Sequence, residues 1–220
     1  MAVDALPDYP LGNIRVWLRR MDLNAPESSG RVGGVQMGFP IWMAEYEAPI
    51  LSDLDFQLWQ AWLARQRGSI NQFKATDPKR WYPWAYRPKA MGGGHSGAGG
   101  FPGGWNGDAT SFSLSGDRST VTLTIPSGIV ITAGDFIGFR WSSGDKLAMV
   151  MALEGGTSSG TVEIDVDPAV PSAVPSHPTA VAYVYKPAFL AKLTSETEIG
   201  ASSPDGQASL KLVAQQDIVP

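Results

Sequence analysis

The 220-residue chain contains no cysteine and only two histidines, His95 and His177. The absence of thiols excludes disulfide bonds, cysteine nucleophiles and thiolate-bound metals. A metal site built from imidazole and thiolate ligands is close to impossible with this inventory. We therefore expect no metal site.

Charged residues are also scarce: Asp, Glu, Lys and Arg make up 17% of the sequence, below the quarter that is usual in soluble proteins. The formal net charge of −4 argues against nucleic-acid binding, which normally requires a basic surface. Because the chain nevertheless has eight tryptophans, we expect part of its surface to be covered by another molecule.

Long apolar runs are absent too. No stretch reaches the roughly 18 apolar residues that a transmembrane helix needs, so no membrane insertion is expected. The N-terminal segment MAVDALPDYPLGNIRVWLRR lacks the charged and apolar regions of a signal peptide. The sequence therefore predicts a soluble protein that is made in a cytoplasm.

Glycine, by contrast, is concentrated in the stretch GGGHSGAGG, residues 92–100. Gly92, Gly94 and Gly97 match the G-x-G-x-x-G fingerprint of dinucleotide-binding sites, in which a strand precedes the glycines and a helix follows them. Here Pro88 interrupts the preceding segment, and the residues that follow, FPGGWNGD, cannot start a helix. We interpret residues 92–107 as a flexible loop or linker and expect no cofactor.

One segment, SDLDFQLWQAWLARQRG, carries a full set of helix signals. Ser52 is a good N-cap with Asp55 in the reciprocal position, and Gly68 is the expected left-handed terminator. These signals predict a helix over residues 53–67. A wide apolar arc predicts that it packs on a sheet; the arc comprises Leu51, Phe56, Leu58, Trp59, Trp62 and Leu63.

After this helix, aromatic and basic residues are interleaved between Phe73 and Arg87. The pattern is found in stacking platforms for single-stranded nucleic acid. It is also found in extended arms at subunit interfaces, where Trp, Tyr and Arg are the enriched anchors. Because the cations are few and the protein is acidic, we favour the interface.

From Thr110 onward, apolar and polar residues alternate in short segments separated by turns rich in glycine and proline. Strands spaced by about 8–12 residues with turns between them indicate an antiparallel sandwich or barrel. The predicted fold class is mainly β with one amphipathic helix, as an antiparallel β-sandwich or barrel. Residues 1–91 would hold β-segments, the helix and the aromatic arm, and residues 108–220 the sandwich or barrel with a C-terminal arm.

Catalytic motifs are not evident. Neither histidine has a nearby nucleophile or orienting acid, and the segment GFPGGWNGD lacks the nucleophile elbow of hydrolases. Asp53 and Asp55 are explained by helix capping, and Asp165 and Asp167 by a solvated strand face. We expect no catalytic residue and no enzyme activity.

From Phe39 to Leu193 the order of features resembles the distal tail proteins of long-tailed, siphovirus-type bacteriophages. Three short motifs carry the likeness. They are Arg67-Gly68 followed by Asn71-Gln72-Phe73 after the helix, the turn and strand start AGDFI at residues 133–137, and the strand GTVEIDVDP at residues 160–168. The arginine that often follows the proline of that strand is absent here.

The resemblance implies a structural virion protein that is made in the host bacterial cytoplasm and forms a homo-oligomeric ring, a hexamer, at the distal end of the tail tube. Its partners would be further copies of itself, the tail tube protein, and tip or baseplate hub proteins. The aromatic arm and the glycine-rich loop would lie between subunits. The expected interface anchors are Phe73, Trp81, Trp84, Tyr86, Phe101 and Trp105.

Three alternatives stay open. A carbohydrate-binding β-sandwich module would stack sugars on Trp105 and Trp141. Another tail ring protein, such as a tail terminator or tube-like protein, would assemble similarly at a different position. A hydrolase acting on cell-wall material would depend on Asp108 or His95.

Overall fold

The computed structural model describes residues 3–7, 11–26, 32–36, 38–91, 93, 99–200 and 208–217. In this part of the chain there are one α-helix, α1 (Asp53–Gln66), five short 3-10 turns and seventeen strands. The strands are β1 (Asp4–Ala5), β2 (Asn13–Arg19), β3 (Asp22–Pro26), β4 (Val32–Gln36), β5 (Ile41–Leu51), β6 (Phe73–Thr76), β7 (Ser111–Leu114), β8 (Thr120–Thr124), β9 (Val130–Ile131), β10 (Phe136–Trp141), β11 (Lys146–Ala152), β12 (Gly156–Thr157), β13 (Thr161–Asp167), β14 (Val181–Tyr183), β15 (Ala188–Leu193), β16 (Glu198–Ile199) and β17 (Ala208–Gln216). The 3-10 turns are Pro78–Arg80, Trp84–Tyr86, Lys89–Met91, Pro102–Gly104 and Ser142–Gly144.

Seven strands form an open sheet in the order β1-β6-β15-β17-β5-β2, with β16 on β17. All of its pairings are antiparallel except that of β1 with β6. The register places Ile14, Tyr46 and Leu212 side by side on the face that carries the hydrophobic core. Helix α1 covers part of that face with Trp59 and Trp62.

Six antiparallel strands, in the order β14-β10-β11-β13-β8-β7, form a second sheet, and an antiparallel bridge between Asp108 and Tyr183 closes it into a barrel. The chain just before β7 pairs with β14, because Ala109 donates its backbone N–H to Ala182 O and Val184 donates to Gly107 O, each over 2.9 Å. Closure removes the free sheet edges at this point. The interior is filled by apolar side chains that include Phe112, Val121, Leu123, Ile137, Phe139, Val150 and Ile164.

One wall of the barrel packs on the open sheet. In this wall Ile137 points into the barrel, whereas Phe136 of β10 and Met149 of β11 join the core of the open sheet. Trp42 of β5 meets the Phe136 ring edge-on, with 5.3 Å between centroids, and its indole N–H donates to Met149 O over 2.6 Å. The arrangement confirms the predicted fold class: mainly β, one helix, and packed sheets that are largely antiparallel.

The helix begins as predicted, since the Ser52 side chain accepts from the backbone N–H of Asp55 over 3.2 Å. It ends slightly earlier than predicted, because Arg67 already adopts a left-handed conformation with φ 50° and Gly68 continues it with φ 67°. The terminal carbonyls find partners in Asn71, whose side chain donates to Arg65 O over 2.6 Å and whose backbone N–H donates to Gln66 O over 3.1 Å. These bonds offset the cost of a left-handed arginine.

The open sheet contains strands from both sides of the glycine-rich segment. Strands β15 and β17 come from the second half of the chain, yet both lie in the open sheet beside strands of the first half. Strand β17, expected to be a final strand or arm, is central, with β15 on one side and β5 on the other. None of the described helices is long and apolar enough to cross a lipid bilayer.

The hairpin β3–β4 continues the β2–β5 ladder beyond the open sheet. That ladder ends at the pair Arg19–Ile41, and pairing resumes at Asp22–Gln36. Among the described strands, β3 and β4 pair only with each other. Such two-stranded ribbons are marginally stable on their own in water.

Candidate functional site at the aromatic segment

The segment predicted to be an extended arm, from Phe73 to Tyr86, is built into the fold. Its first residues form β6, which pairs with β15 in the open sheet. Phe73 is fully buried and meets the Trp62 ring edge-on, with 5.1 Å between centroids. Strand alternation points Phe73 into the chain's own core, so its ring is enclosed by this chain and leaves no surface for a second subunit.

Tyr86, another predicted anchor, is also enclosed by this chain. Its ring is buried against the barrel core. Its hydroxyl accepts from the backbone N–H of Val130 over 2.8 Å. Tyr86 therefore attaches the segment to the barrel, and the fold argues against its role as an interface anchor.

Trp84 differs from both, because the residue is 49% exposed. Its backbone N–H donates to a carboxylate oxygen of Asp135 over 2.8 Å, and the other oxygen of Asp135 accepts from Thr132 N–H over 2.7 Å. The Arg87 guanidinium lies 3.9 Å from the same carboxylate. Burial raises the pKa of Asp135, although these donors and the guanidinium favour the ionised form. The Trp84 backbone is thus hydrogen-bonded to the barrel, while its indole stays exposed.

Residues Gly99 to Gly107 of the glycine-rich segment place two more predicted anchors on the barrel. Phe101 lies 5.3 Å from Tyr86 and 4.8 Å from Trp105 between ring centroids. Gly107, at φ 90°, lets the chain pass close to Tyr185 and Phe101, since a Cβ there would lie 2.5 Å from the Tyr185 Cβ and 3.2 Å from the Phe101 ring. Residues 92 and 94–98, which contain most of the proposed fingerprint, lie outside the described residues.

These rings form a shallow depression, which we call the aromatic dish. It has a volume of about 310 Å³ and is lined by Tyr82, Gly100, Phe101, Gly104, Trp105, Asn106 and Tyr185. The Tyr82 and Tyr185 rings lie 4.8 Å apart, and a hydrogen bond between their side chains raises the pKa of Tyr82. The Trp105 indole N–H donates to Asp108 O over 2.7 Å. All the rings of the dish are partly exposed.

Trp81 lies beside the dish. Its indole N–H donates to the Thr76 hydroxyl over 3.2 Å, and the Lys186 ammonium stacks over its ring at 4.0 Å from the centroid. Lys186 is also 5.4 Å from the Tyr185 ring centroid. The Lys186 ammonium therefore lies at the edge of the dish, between Trp81 and Tyr185.

Of the two residues named for the hydrolase alternative, the structure describes only Asp108. Asp108 pairs with Arg140 over 2.6 Å and accepts from the Asn106 side chain over 3.1 Å. His95 lies outside the described residues, and the exposed His177 contacts the Phe112 ring at 6.3 Å between centroids. In the described part of the chain, no group of three His, Asp or Glu side chains could hold a metal ion.

Residues 156–160, GTSSG, match the pattern Gly-x-Ser-x-Gly of hydrolase nucleophile elbows, which was not considered among the candidate motifs. The structure gives this segment a different role. Ser158 is buried, and its hydroxyl donates to Ile125 O and accepts from the backbone N–H of Gly160, each over 3.0 Å. The turn joins β12 to β13, whereas a nucleophile elbow joins a strand to a helix and exposes its serine.

Of the six predicted anchors, the structure brings Phe101 and Trp105 together in the dish and leaves Trp81 at its rim and Trp84 exposed elsewhere. Sequence reasoning missed Tyr82, Asn106 and Tyr185 as partners of this surface. Only Tyr82 lies in the aromatic segment, and no local pattern connects it with Tyr185. No protein-family model matches the chain, and no curated protein matches it significantly.

Proposed function

We propose that this protein is a structural ring protein of the virion, placed at the distal end of the tail tube of a long-tailed bacteriophage. Copies of the chain form the ring, which joins the last tube ring to the tip or baseplate hub. In this role the protein has no catalytic activity. The proposal joins the resemblance of the sequence to one feature of the fold, the β3–β4 hairpin.

The hairpin carries the proposal because it lacks a partner strand among the described residues. A ribbon of this kind gains stability when further strands or another surface cover it. If the hairpin of one copy docks on the next copy, the contact is heterologous, and such contacts generate closed rings when the rotation between copies closes.

Exposed apolar side chains lie at the base of the hairpin, where a neighbour would dock. Met21 and Phe39, which flank the hairpin in sequence, are 53% and 43% exposed. Between β2 and Met21, Arg20 forms an ion pair with Asp167 of the barrel, so this base adjoins the junction of barrel and open sheet. Clusters of exposed apolar residues on a soluble protein mark interaction surfaces.

The motifs behind the resemblance occupy positions that shape the fold. Asn71 satisfies the carbonyls at the end of α1, and Phe73 fills the core of the open sheet. Asp135 of the AGDFI motif holds the Trp84 backbone. The strand motif is β13, which pairs with β8 and β11 in the barrel. A likeness in these motifs is therefore a likeness in residues that determine local structure, which supports a shared architecture.

The experiment is native mass measurement of the full chain together with negative-stain images of the same sample. We expect closed rings, whereas stacked tubes would favour the tube-like alternative. A chain that stays monomeric at every concentration tested contradicts self-assembly.

A hairpin variant tests the contact itself. Because Asp22 pairs directly with Gln36, residues 23–35 can be replaced by Asn-Gly, which closes a two-residue turn at this register. We expect a folded chain that no longer forms rings. Ile70→Ser, which removes an exposed apolar residue in the turn after α1, is the control and should leave the rings intact. Rings in the hairpin variant would exclude this hairpin as the contact.

A further inference from the structure

We propose that the aromatic dish binds an uncharged carbohydrate chain by stacking one or two sugar rings on its aromatic side chains. This function goes beyond ring assembly and does not depend on it. The argument rests on the shape of the dish, its polar groups and the charges around it.

The shape is built by glycine residues with unusual backbone conformations. Gly100, Gly103 and Gly104 have φ of 148°, 67° and 70°, and a Cβ at any of these positions would meet no atom within 4 Å. Phe101 and Trp105 pack on the barrel, and in the described part of the chain no atom fills the space beside these three glycines. A volume of about 310 Å³ lies at the small end of ligand sites.

The aromatic rings of the dish provide an apolar surface on which one face of a sugar ring can stack. A pyranose ring has an apolar face of C–H bonds and a rim of hydroxyl groups, so it packs on aromatic faces while its hydroxyls seek hydrogen bonds. The polar groups of the lining residues are the hydroxyls of Tyr82 and Tyr185, which hydrogen-bond to each other and keep further acceptor capacity, and the exposed amide of Asn106. The Asn106 amide accepts from Asp108 N–H over 3.0 Å and donates to its carboxylate, which fixes its orientation and leaves one amide N–H and further acceptor capacity for a ligand.

The charges around the dish disfavour a cationic ligand. Among the described residues, none that lines the dish carries a charged side chain. The nearby carboxylate of Asp108 is already paired with Arg140. A cationic ligand, the usual guest of aromatic cages, would meet the Lys186 ammonium at 5.4 Å from the Tyr185 centroid.

The test is titration of the full chain with cellohexaose, maltohexaose and chitohexaose, followed by ¹H–¹⁵N spectra of the tryptophan indoles. The Trp105 indole N–H has its own acceptor, Asp108 O, so its resonance reports on the dish. We expect a saturable shift of this resonance with at least one sugar, at a Kd on the order of 1 mM. The Trp84 indole, outside the dish, should not shift.

Two variants and a control separate stacking from folding. Trp105→Ala lacks the reporter indole, so its affinity is followed through backbone amide resonances of the dish; it should weaken binding about tenfold, as loss of an aromatic anchor does. Tyr185→Phe removes only a hydroxyl and should weaken sugar binding severalfold while the fold is kept. If Trp105→Ala misfolds, the affinity of Tyr185→Phe alone tests the proposal. Trp141→Phe, a partly exposed tryptophan of β10 that does not line the dish, should bind as the wild type does.

Three results would overturn the proposal: no saturable shift with any of the three sugars, an unchanged affinity in both dish variants, or tighter binding of a decaproline peptide than of every sugar. The outcome is separate from ring assembly, since the variant with the shortened hairpin keeps the dish and should bind sugar as a monomer.

Discussion

Trp84 donates its backbone N–H to the buried carboxylate of Asp135 over 2.8 Å, and this bond is one of those that join the aromatic segment to the barrel. The same carboxylate accepts from Thr132 within its own turn, so one side chain fixes both partners. Buried polar groups that bridge two segments cost most when one partner is removed, because the donors left behind lose their only acceptor. Four pairs of substitutions follow from this contact and from others like it.

Asp135→Asn should lower the free energy of unfolding by about 1–3 kcal/mol at pH 7, because the amide can accept from only one of the two backbone donors. Urea denaturation followed by tryptophan fluorescence measures the change. Asp145→Asn, at an exposed carboxylate, is the matched control and should lie within about 0.5 kcal/mol of the wild type.

The same variant tests the pH dependence of stability. Because burial raises the pKa of Asp135 above its unfolded value of 3.8, the native state binds more protons than the unfolded state between these two pKa values. The contribution of this group to stability is full below the unfolded pKa and is lost as the pH rises through the native pKa. The stability difference between wild type and Asp135→Asn should therefore shrink as the pH increases over this window. A difference that grows instead would mean that Arg87 outweighs burial and lowers the pKa.

Trp62 and Trp84 should differ strongly in the stability that is lost when each is replaced by alanine. Trp62→Ala should cost about 3–5 kcal/mol, because it empties a core position and removes the indole bond to Ala5 O at 3.1 Å. Trp84→Ala keeps the backbone bond to Asp135 and removes an exposed ring, so we expect less than about 1 kcal/mol. Chemical denaturation of the two variants decides this, and equal losses would show that Trp84 is covered in solution.

Gly107 and Gly134 form a matched pair, with φ of 90° and 88°. An alanine at either position is strained by the left-handed backbone, at about 1–2 kcal/mol. At Gly107 its Cβ would also lie 2.5 Å from the Tyr185 Cβ, whereas at Gly134 it would meet nothing within 4 Å. We expect Gly107→Ala to lose about 1–3 kcal/mol more than Gly134→Ala in thermal or urea unfolding. Equal losses would mean that Tyr185 can move away from the dish.

Arg118 holds the segment after β13 against the barrel. Its guanidinium donates to Val170 O, Pro171 O and Val174 O over 2.8, 2.8 and 2.7 Å. Arg118→Ala leaves three carbonyls without this donor, and we expect a loss of about 2–4 kcal/mol together with faster amide exchange in residues 170–180. Arg118→Lys keeps the positive charge but has a single donor nitrogen in place of the guanidinium fork, so its stability should lie between those of the wild type and Arg118→Ala. Uniform exchange rates in all three proteins would show that the segment is held by its apolar contacts alone.

Local signals were enough for much of the fold. Ser52, Asp55 and Gly68 mark the ends of α1 because capping depends on residues only a few positions apart. The alternation in β10 separates the barrel side, Ile137 and Phe139, from Phe136 on the open-sheet side. Period two shows that a strand has two faces, but both faces of this strand are buried, and the sequence does not show what covers each.

The candidate site was less accessible because it depends on contacts between distant residues. Phe73 and Tyr86 belong to the same aromatic pattern as Trp84. The first two side chains are buried and Trp84 is exposed, a difference that composition does not show. The dish needs Tyr185 beside Tyr82, and the barrel closes through a pair at Asp108 and Tyr183. Such pairings over long sequence separations follow from topology, which no local spacing encodes.

The central place of β17 has a consequence for how the molecule is made. All six barrel strands lie between residues 111 and 183, so the barrel can close as soon as that stretch has been synthesised. The open sheet has to wait for residues 208–216, which insert between β5 and β15. On the ribosome, β5 emerges long before its neighbour and keeps one hydrogen-bonding edge unpaired in the meantime. We therefore expect the nascent chain to pass through a stage in which the barrel is closed while the open sheet still lacks its central strand, β17.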